Sequence, residues 1–197
     1  MDKPDINRLL EFQKLLKQFN QVERALHRKH KGIYQLENDS EHSYNLTMTA
    51  WYLARYFDEL NVDMIIRYAL VHDFLEVYAG DTYIFDEEMA PTQAGREQAA
   101  LKKLRELWSD FSDLNKYIQD YENLVDPEAR FVYALDKFMP VMTIFINDGY
   151  TWKFENSSVK KIIESRIDKI EKSGEVKPYF DRFCEILLES PALLPAE

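Results

Sequence analysis

Apolar side chains recur at spacings of three and four residues along almost the whole chain, and this periodicity constrains the fold most. Leu9, Phe12, Leu16 and Phe19 show it near the N-terminus. Such spacing places apolar residues on one face of an α-helix. No strand-type alternation is sustained, and only five Gly and seven Pro interrupt the pattern. The sequence therefore predicts an all-α fold in a single domain.

Helix ends follow from the capping residues. The stretch Asn38-Asp39-Ser40-Glu41 predicts the start of a helix, and so does Asp126-Pro127-Glu128. Another helix, containing His72 and Asp73, is predicted to end near Gly80. The predicted loops are residues 28–38, 80–95 and 147–157. The domain is expected to span residues 1–197, with a core at about 8–170, C-terminal helices at 158–189 and a loose tail at 190–197.

Composition restricts the partners. With 25 basic and 35 acidic residues the net charge is −10, which disfavours binding of a long nucleic acid. The longest mostly apolar run, Phe138 to Ile146, is far below the roughly 20 residues that a membrane-spanning helix needs, so no membrane association is expected. Cys184 is the only cysteine, and Met1 to Asn7 is largely polar. We therefore expect a cytoplasmic protein without an internal disulfide.

The dipeptide His72-Asp73 lies in an otherwise largely apolar stretch, Tyr68 to Tyr78. Burial of an ionised carboxylate costs several kcal/mol unless the charge is paired. Glu76 adds a second acid, four residues after His72 and three after Asp73, so a continuous helix would place all three on one side. A divalent cation would relieve the repulsion between the two acids.

Asp136 stands in a second apolar helix, and His42 lies on the first turn of its own helix. Four ligands from three helices can meet in the core of a bundle. Two imidazoles and two carboxylates suit Mn²⁺, Co²⁺, Fe²⁺ or Zn²⁺ better than Ca²⁺, and Mg²⁺ is a further option. Taken singly, His42 could instead be a capping or surface residue, and Asp136 could pair with a basic side chain.

Three linked motifs resemble the HD-domain phosphohydrolase superfamily, in particular its subfamily of 5′-deoxynucleotidases. They are Glu37-Asn-Asp-Ser-Glu-His-Ser43, His72-Asp-Phe-Leu-Glu-Val-Tyr-Ala-Gly-Asp-Thr82 and Glu128-Ala-Arg-Phe-Val-Tyr-Ala-Leu-Asp-Lys137. The resemblance runs from about residue 8 to about residue 170. It implies a helical HD-domain bundle, usually a homodimer, with a metal such as Mn²⁺ or Co²⁺.

The resemblance also implies roles for individual residues. By their motif positions the expected metal ligands are His42, His72, Asp73 and Asp136. Glu76 and Asp81 match acids that position or activate the attacking water and protonate the leaving group. Arg24 matches an arginine that holds the substrate phosphate, and its planar guanidinium suits that task.

Two positions depart from the subfamily pattern. Ala25 follows Arg24, where the deoxynucleotidases have a tryptophan that disfavours the ribose 2′-hydroxyl, and Gln35-Leu36 stands where close relatives often have a basic residue. The preference for one sugar is therefore left open, as is the base.

The leading hypothesis is hydrolysis of (deoxy)nucleoside 5′-monophosphates, small-molecule substrates, by a metal-activated water. One alternative keeps the site and changes the nucleotide to a triphosphate, a cyclic nucleotide or guanosine tetraphosphate. Another is a non-catalytic protein that binds metal and nucleotide. The presence of both Glu76 and Asp81 favours an enzyme.

Overall fold

The computed structural model describes residues 3–80 and 90–195. These residues fold mainly into helices, as predicted, and the helices share one hairpin of two strands. The helices are α1 (Ile6–Phe19), α2 (Asp39–Ala54), α3 (Val62–Val71), α4 (Glu76–Ala79), α5 (Gln93–Leu107), α6 (Ser112–Glu122), α7 (Pro127–Ile146), α8 (Tyr150–Phe154), α9 (Val159–Glu164), α10 (Ile167–Ile170) and α11 (Lys177–Leu188). The strands are β1 (Glu23–His30) and β2 (Ile33–Asn38), and short 3₁₀ helices cover Ala90–Thr92 and Pro191–Leu193.

Both predicted helix starts are confirmed. Asn38 and Glu41 form a reciprocal capping box at the start of α2, in which the Asn38 side chain accepts from the Glu41 backbone N at 3.0 Å. At the start of α7, Asp126 Oδ1 accepts from the Ala129 backbone N at 2.8 Å, and Pro127 occupies the first turn. These caps fix where His42 and Asp136 stand on their helices.

The predicted loop at residues 28–38 is wrong, because most of it belongs to the β1–β2 hairpin. His30 pairs with Ile33, and the chain reverses through Lys31 and Gly32, both at positive φ. The strands show little apolar alternation: Leu26 and Glu37 are their buried members. A strand that buries a carboxylate does not show the usual hydrophobic signal of period two.

The predicted helix through His72 to Gly80 is also interrupted. Helix α3 ends at Val71, residues 72–75 form turns, and α4 begins at Glu76. Gly80 then ends α4 at φ +74°, where the sequence predicted a stop. His72, Asp73 and Glu76 therefore do not share one helical face, and their relative positions depend on this turn.

Two hydrophobic clusters make up the described core. The larger joins α2, α3, α7 and the C-terminal helices, and includes Tyr68 and Ala69. The smaller joins α1, α5 and α6, and includes Phe74 and Leu75. The dipeptide His72-Asp73 thus lies where the chain passes from one cluster to the other.

The other two loop predictions are only partly right. Residues 147–157 contain α8, whose Thr151 and Trp152 are buried. Residues 90–95 belong to the 3₁₀ turn and the start of α5, whereas positions 81–89 lie outside the described residues. Among the described helices, none has the length and apolar character needed to cross a bilayer.

Candidate metal centre

The structure brings together the four residues expected to bind metal. His42 comes from α2, His72 and Asp73 from the end of α3 and its following turn, and Asp136 from the middle of α7. One nitrogen or oxygen atom from each lies within 4.8 Å of the others. His42 Nε2 is 2.9 Å from Asp136 Oδ1, and His72 Nε2 is 2.8 Å from Asp73 Oδ2. His42, His72 and Asp136 are at most 2% exposed.

Both imidazole rings have an oxygen atom near Nδ1, on the side that faces away from the cluster. His72 Nδ1 lies 2.9 Å from the backbone oxygen of Ala69, to which it can only donate. His42 Nδ1 lies 3.6 Å from Oε2 of the buried Glu37, which is close enough for an electrostatic contact but too long for a direct hydrogen bond. Each ring therefore directs Nε2 into the cluster, where His42 Nε2 lies beside Asp136 Oδ1 and His72 Nε2 lies beside Asp73 Oδ2. Histidine ligands of metal ions are held in this way in metalloproteins.

The charges of the cluster stabilise one another. Burial by itself would raise the pKa of Asp73, but the neighbouring His72 and Arg24 charges lower it well below its usual value. Burial would likewise raise the pKa of Asp136, and Lys137 and the two histidines lower it instead. Burial would lower the pKa of His72, but Asp73 and Asp136 raise it to about 10. Two ionised carboxylates in a buried place create a negative potential that attracts a cation.

Arg24, expected to hold phosphate, lies beside the cluster. Its Nη1 donates to Asp73 Oδ2 at 2.6 Å and to Asp39 Oδ1 at 3.2 Å. Its Nε is 3.9 Å from Glu37 Oε2. The guanidinium therefore partly neutralises the acids of the site from β1.

Of the two acids expected to act on water and leaving group, the structure describes one. Glu76 is the first residue of α4, and its carboxylate groups with those of Asp39 and Asp73 within 4.8 Å. The turn at residues 72–75 is what brings Glu76 close to Asp73. Asp81 lies outside the described residues.

Sequence reasoning missed three polar residues of the site. Glu37 and Asp39 are buried acids on either side of the β2–α2 junction, and Lys137 Nζ lies 2.7 Å from Asp136 Oδ2. All three belong to the motifs given above. Their closeness in sequence to His42 or Asp136 was the feature from which a place in the site could have been predicted. The burial of Glu37 and Asp39 could not be read from the sequence.

A cavity of about 490 Å³ opens beside the cluster. His72, Asp73, Asp136 and Arg24 lie on its wall, and so does Glu76. The size suits a small organic molecule rather than a polymer. Ala25, the position that departs from the deoxynucleotidase pattern, also lines it.

Comparison with known proteins agrees with this arrangement. The sequence model of a family described as "HD domain" matches residues 16–177. Human 5′-deoxynucleotidase HDDC2 is 32% identical over 133 residues, covering 66% of this chain and 63% of the human protein. The Saccharomyces cerevisiae 5′-deoxynucleotidase YBR242W is 29% identical over 151 residues, covering 74% of this chain and 62% of the yeast protein. The matches thus span less than two thirds of the length of these relatives.

Solved structures give the same result for the fold. The crystal structure of a predicted metal-dependent phosphohydrolase from Magnetospirillum magnetotacticum superposes with a TM-score of 0.79 at 27% identity, covering 95% of this chain and 94% of that chain. An HD-domain phosphohydrolase from Listeria innocua superposes with a TM-score of 0.64 at 15% identity, covering 94% and 92%, which supports the fold alone.

Proposed function

This chain belongs to the HD domain family, and we propose that it is a metal-dependent phosphohydrolase that releases phosphate from nucleoside 5′-monophosphates. The observation that carries the proposal is the convergence of His42, His72, Asp73 and Asp136, with both imidazoles directed into the cluster. The names of the human and yeast relatives support the nucleotide substrate.

The donor set fits a transition metal. Two imidazole nitrogens and two carboxylate oxygens suit Mn²⁺, Co²⁺, Fe²⁺ or Zn²⁺, with Mg²⁺ a further candidate. We propose that His42, His72, Asp73 and Asp136 hold the ion. When bound, such an ion lowers the pKa of a water and polarises a phosphoryl oxygen.

The protein's own residues then divide the remaining tasks. Glu76 and Asp81 share the proton transfers: one orients or deprotonates the attacking water, and the other protonates the leaving oxygen. Arg24, on the wall of the cavity, holds the phosphate through its guanidinium. Glu37 and the Ala69 carbonyl help to hold the imidazole rings of His42 and His72 with Nε2 directed into the cluster. The breaking P–O bond yields phosphate and a nucleoside.

A panel of phosphate esters tests this function. We expect phosphate release from nucleoside 5′-monophosphates with Mn²⁺ or Co²⁺, and ribose and deoxyribose members should be compared because Ala25 leaves the sugar preference open. Release of pyrophosphate or triphosphate, or opening of a cyclic ester, with monophosphates left intact, would contradict the proposal. Binding without turnover would point to a non-catalytic protein.

We also propose a homodimer that uses the outer face of α2. This face exposes the large side chains of Tyr44, Met48, Trp51 and Tyr52, and Tyr56 is exposed in the turn that follows the helix. A contiguous apolar patch of this kind is typical of protein interfaces. Light scattering should give a dimer for the wild type and a monomer for Trp51→Glu, with Ile146→Glu, exposed elsewhere, as the control. A monomeric wild type would contradict the proposal.

A further inference from the structure

A second group of cations lies on the cavity wall that α7 and residues 166–169 form. Lys137, Arg166 and Lys169 all line the cavity. Lys137 pairs with Asp136 and so belongs to the metal centre. Arg166 is buried and donates to the Ile162 carbonyl and to Ser165 Oγ. Lys169 follows Arg166 by three residues in the sequence. Its side chain forms no ion pair or hydrogen bond with any described residue.

The surroundings of Lys169 disfavour its charge. Partial burial lowers its pKa, and the like charges of Lys137 and Arg166 lower it further. Asp168 and Asp136 raise the pKa of Lys169 but do not outweigh these causes. Glu155 contributes a carboxylate to the lining of the same cavity. An anion bound beside Lys169 would relieve this repulsion.

Ser157 supplies an independent sign of a ligand. It lines the same cavity, is 2% exposed, and its Oγ has no hydrogen-bond partner among the described residues. A buried hydroxyl normally has a partner, and a hydroxyl can donate to an anion. The unsatisfied Oγ is therefore explained if the cavity receives a polar group here.

The proposed reaction uses one phosphate, at the metal centre and Arg24. The nucleoside part of a 5′-monophosphate carries no second anion, so it supplies no counterion for Lys169. We propose that Lys169 and Ser157, beside the buried Arg166, form a second anion subsite, which binds a phosphate on the leaving part of the substrate. The subsite rests on the proposed function and extends it to nucleoside bisphosphates.

The chemistry of such a substrate is balanced without a further reactant. Hydrolysis breaks one P–O bond at the 5′ position, and water supplies the oxygen of the released phosphate and the proton of the new hydroxyl. The product that remains is a nucleoside monophosphate, which keeps its second phosphate at the subsite until it leaves.

The decisive experiment compares the 5′-monophosphate and the 3′,5′-bisphosphate of one nucleoside in the wild type and in Lys169→Gln. We expect the substitution to lower kcat/KM for the bisphosphate about tenfold, through KM, because a charge-assisted hydrogen bond is lost. The monophosphate should change by less than about twofold, since Lys169 does not touch the first phosphate. Ser157→Ala should give a smaller effect in the same direction. Lys172→Gln, exposed and outside the cavity lining, is the matched control.

Three outcomes would overturn the subsite. One is an equal loss for both substrates, another is no loss for either, and the third is a wild type that does not favour the bisphosphate. If the wild type hydrolyses neither ester, the proposed function fails, and calorimetric binding of the two nucleotides to the metal-loaded protein still decides the subsite. A tighter bisphosphate complex that weakens in Lys169→Gln would support it, and equal affinities would not.

Discussion

Oε2 of Glu37 lies 3.6 Å from Nδ1 of His42, and both side chains are almost completely buried. The carboxylate comes from the end of β2 and the imidazole from the first turn of α2, so the β2–α2 junction itself orients the ring. A buried carboxylate behind a ligating histidine fixes the tautomer and increases the basicity of the nitrogen on the other side.

This contact predicts that Glu37→Gln weakens metal binding without removing any of the four proposed ligands. Loss of a partner behind a ligating histidine costs about 10- to 100-fold in metal affinity. Titration calorimetry with Mn²⁺ or Co²⁺ measures the change. Glu23→Gln, an exposed acid on β1 that pairs with Asn38 across the hairpin, is the control and should bind as the wild type does. Unchanged affinity in Glu37→Gln would contradict this role.

Among the four proposed ligands, Asp136 comes from the most distant part of the chain. Its replacement by Ala should abolish both stoichiometric metal binding and turnover, because His42 Nε2 and Lys137 Nζ lose the carboxylate between them. Asp136→Asn keeps the volume and separates loss of charge from loss of packing. Elemental analysis of folded protein, checked by circular dichroism, is the measurement. Retained metal with full activity in either variant would remove Asp136 from the ligand set.

Glu76 is expected to act on the reaction and not on the ion. Glu76→Gln should keep the metal and lose turnover by about 100-fold or more, as is usual when a general acid or base is removed. Metal content and steady-state rates with a nucleoside 5′-monophosphate test this together. Near-normal rates would assign the proton transfers to other groups, with Asp81→Asn as the next variant to examine.

Removal of the metal should make stability depend on pH in a definite direction. In the metal-free protein the pKa of His72 is raised to about 10, above its unfolded value. This stabilisation is fully present below the unfolded pKa of about 6.5 and is lost as the pH rises towards 10. Asp73 and Asp136 face the ring and stay ionised throughout this range, because their pKa values are lowered.

Urea unfolding of chelated protein at pH 6.5, 8 and 9.5 measures the effect. We expect the free energy of unfolding to fall along this series in the wild type and to fall less in His72→Gln. A wild-type free energy that rises over the same interval would show that another group controls it.

Tyr68 links α3 and α7, two of the three helices that position the proposed ligands. Its hydroxyl donates to Asp126 Oδ2 at 2.7 Å, while Asp126 Oδ1 caps α7. Tyr68→Phe should lower the free energy of unfolding by about 1 kcal/mol, the usual net value of such a bond, or more because Tyr68 is fully buried. Tyr117→Phe, which removes a hydroxyl with no hydrogen bond among the described residues, is the matched control. Equal effects of the two substitutions would contradict the link.

The sequence predicts the helical fold and the ligand set, but it does not predict how they are arranged. Asn38 and Asp126 could be assigned as caps because their signals are local. The hairpin was missed because its buried residues include Glu37, which interrupts alternation. The break after Val71 was missed because the stretch Tyr68 to Tyr78 remains apolar through the turn. Such a break depends on which of two hydrophobic clusters each residue joins, and this is a tertiary property.

The pairing of His42 with Asp136 joins positions 94 residues apart. By contrast, Arg24, Glu37 and His42 fall within one hairpin and the helix start that follows it. Arg24, Glu37 and His42 can thus come together through short-range contacts. The contact between His42 and Asp136 must await docking of α7, because it joins residues that are far apart in sequence. Ion uptake during refolding would therefore be a late event that reports completion of the native topology, and a chain stopped before α7 would have the hairpin and both histidines without a complete coordination set.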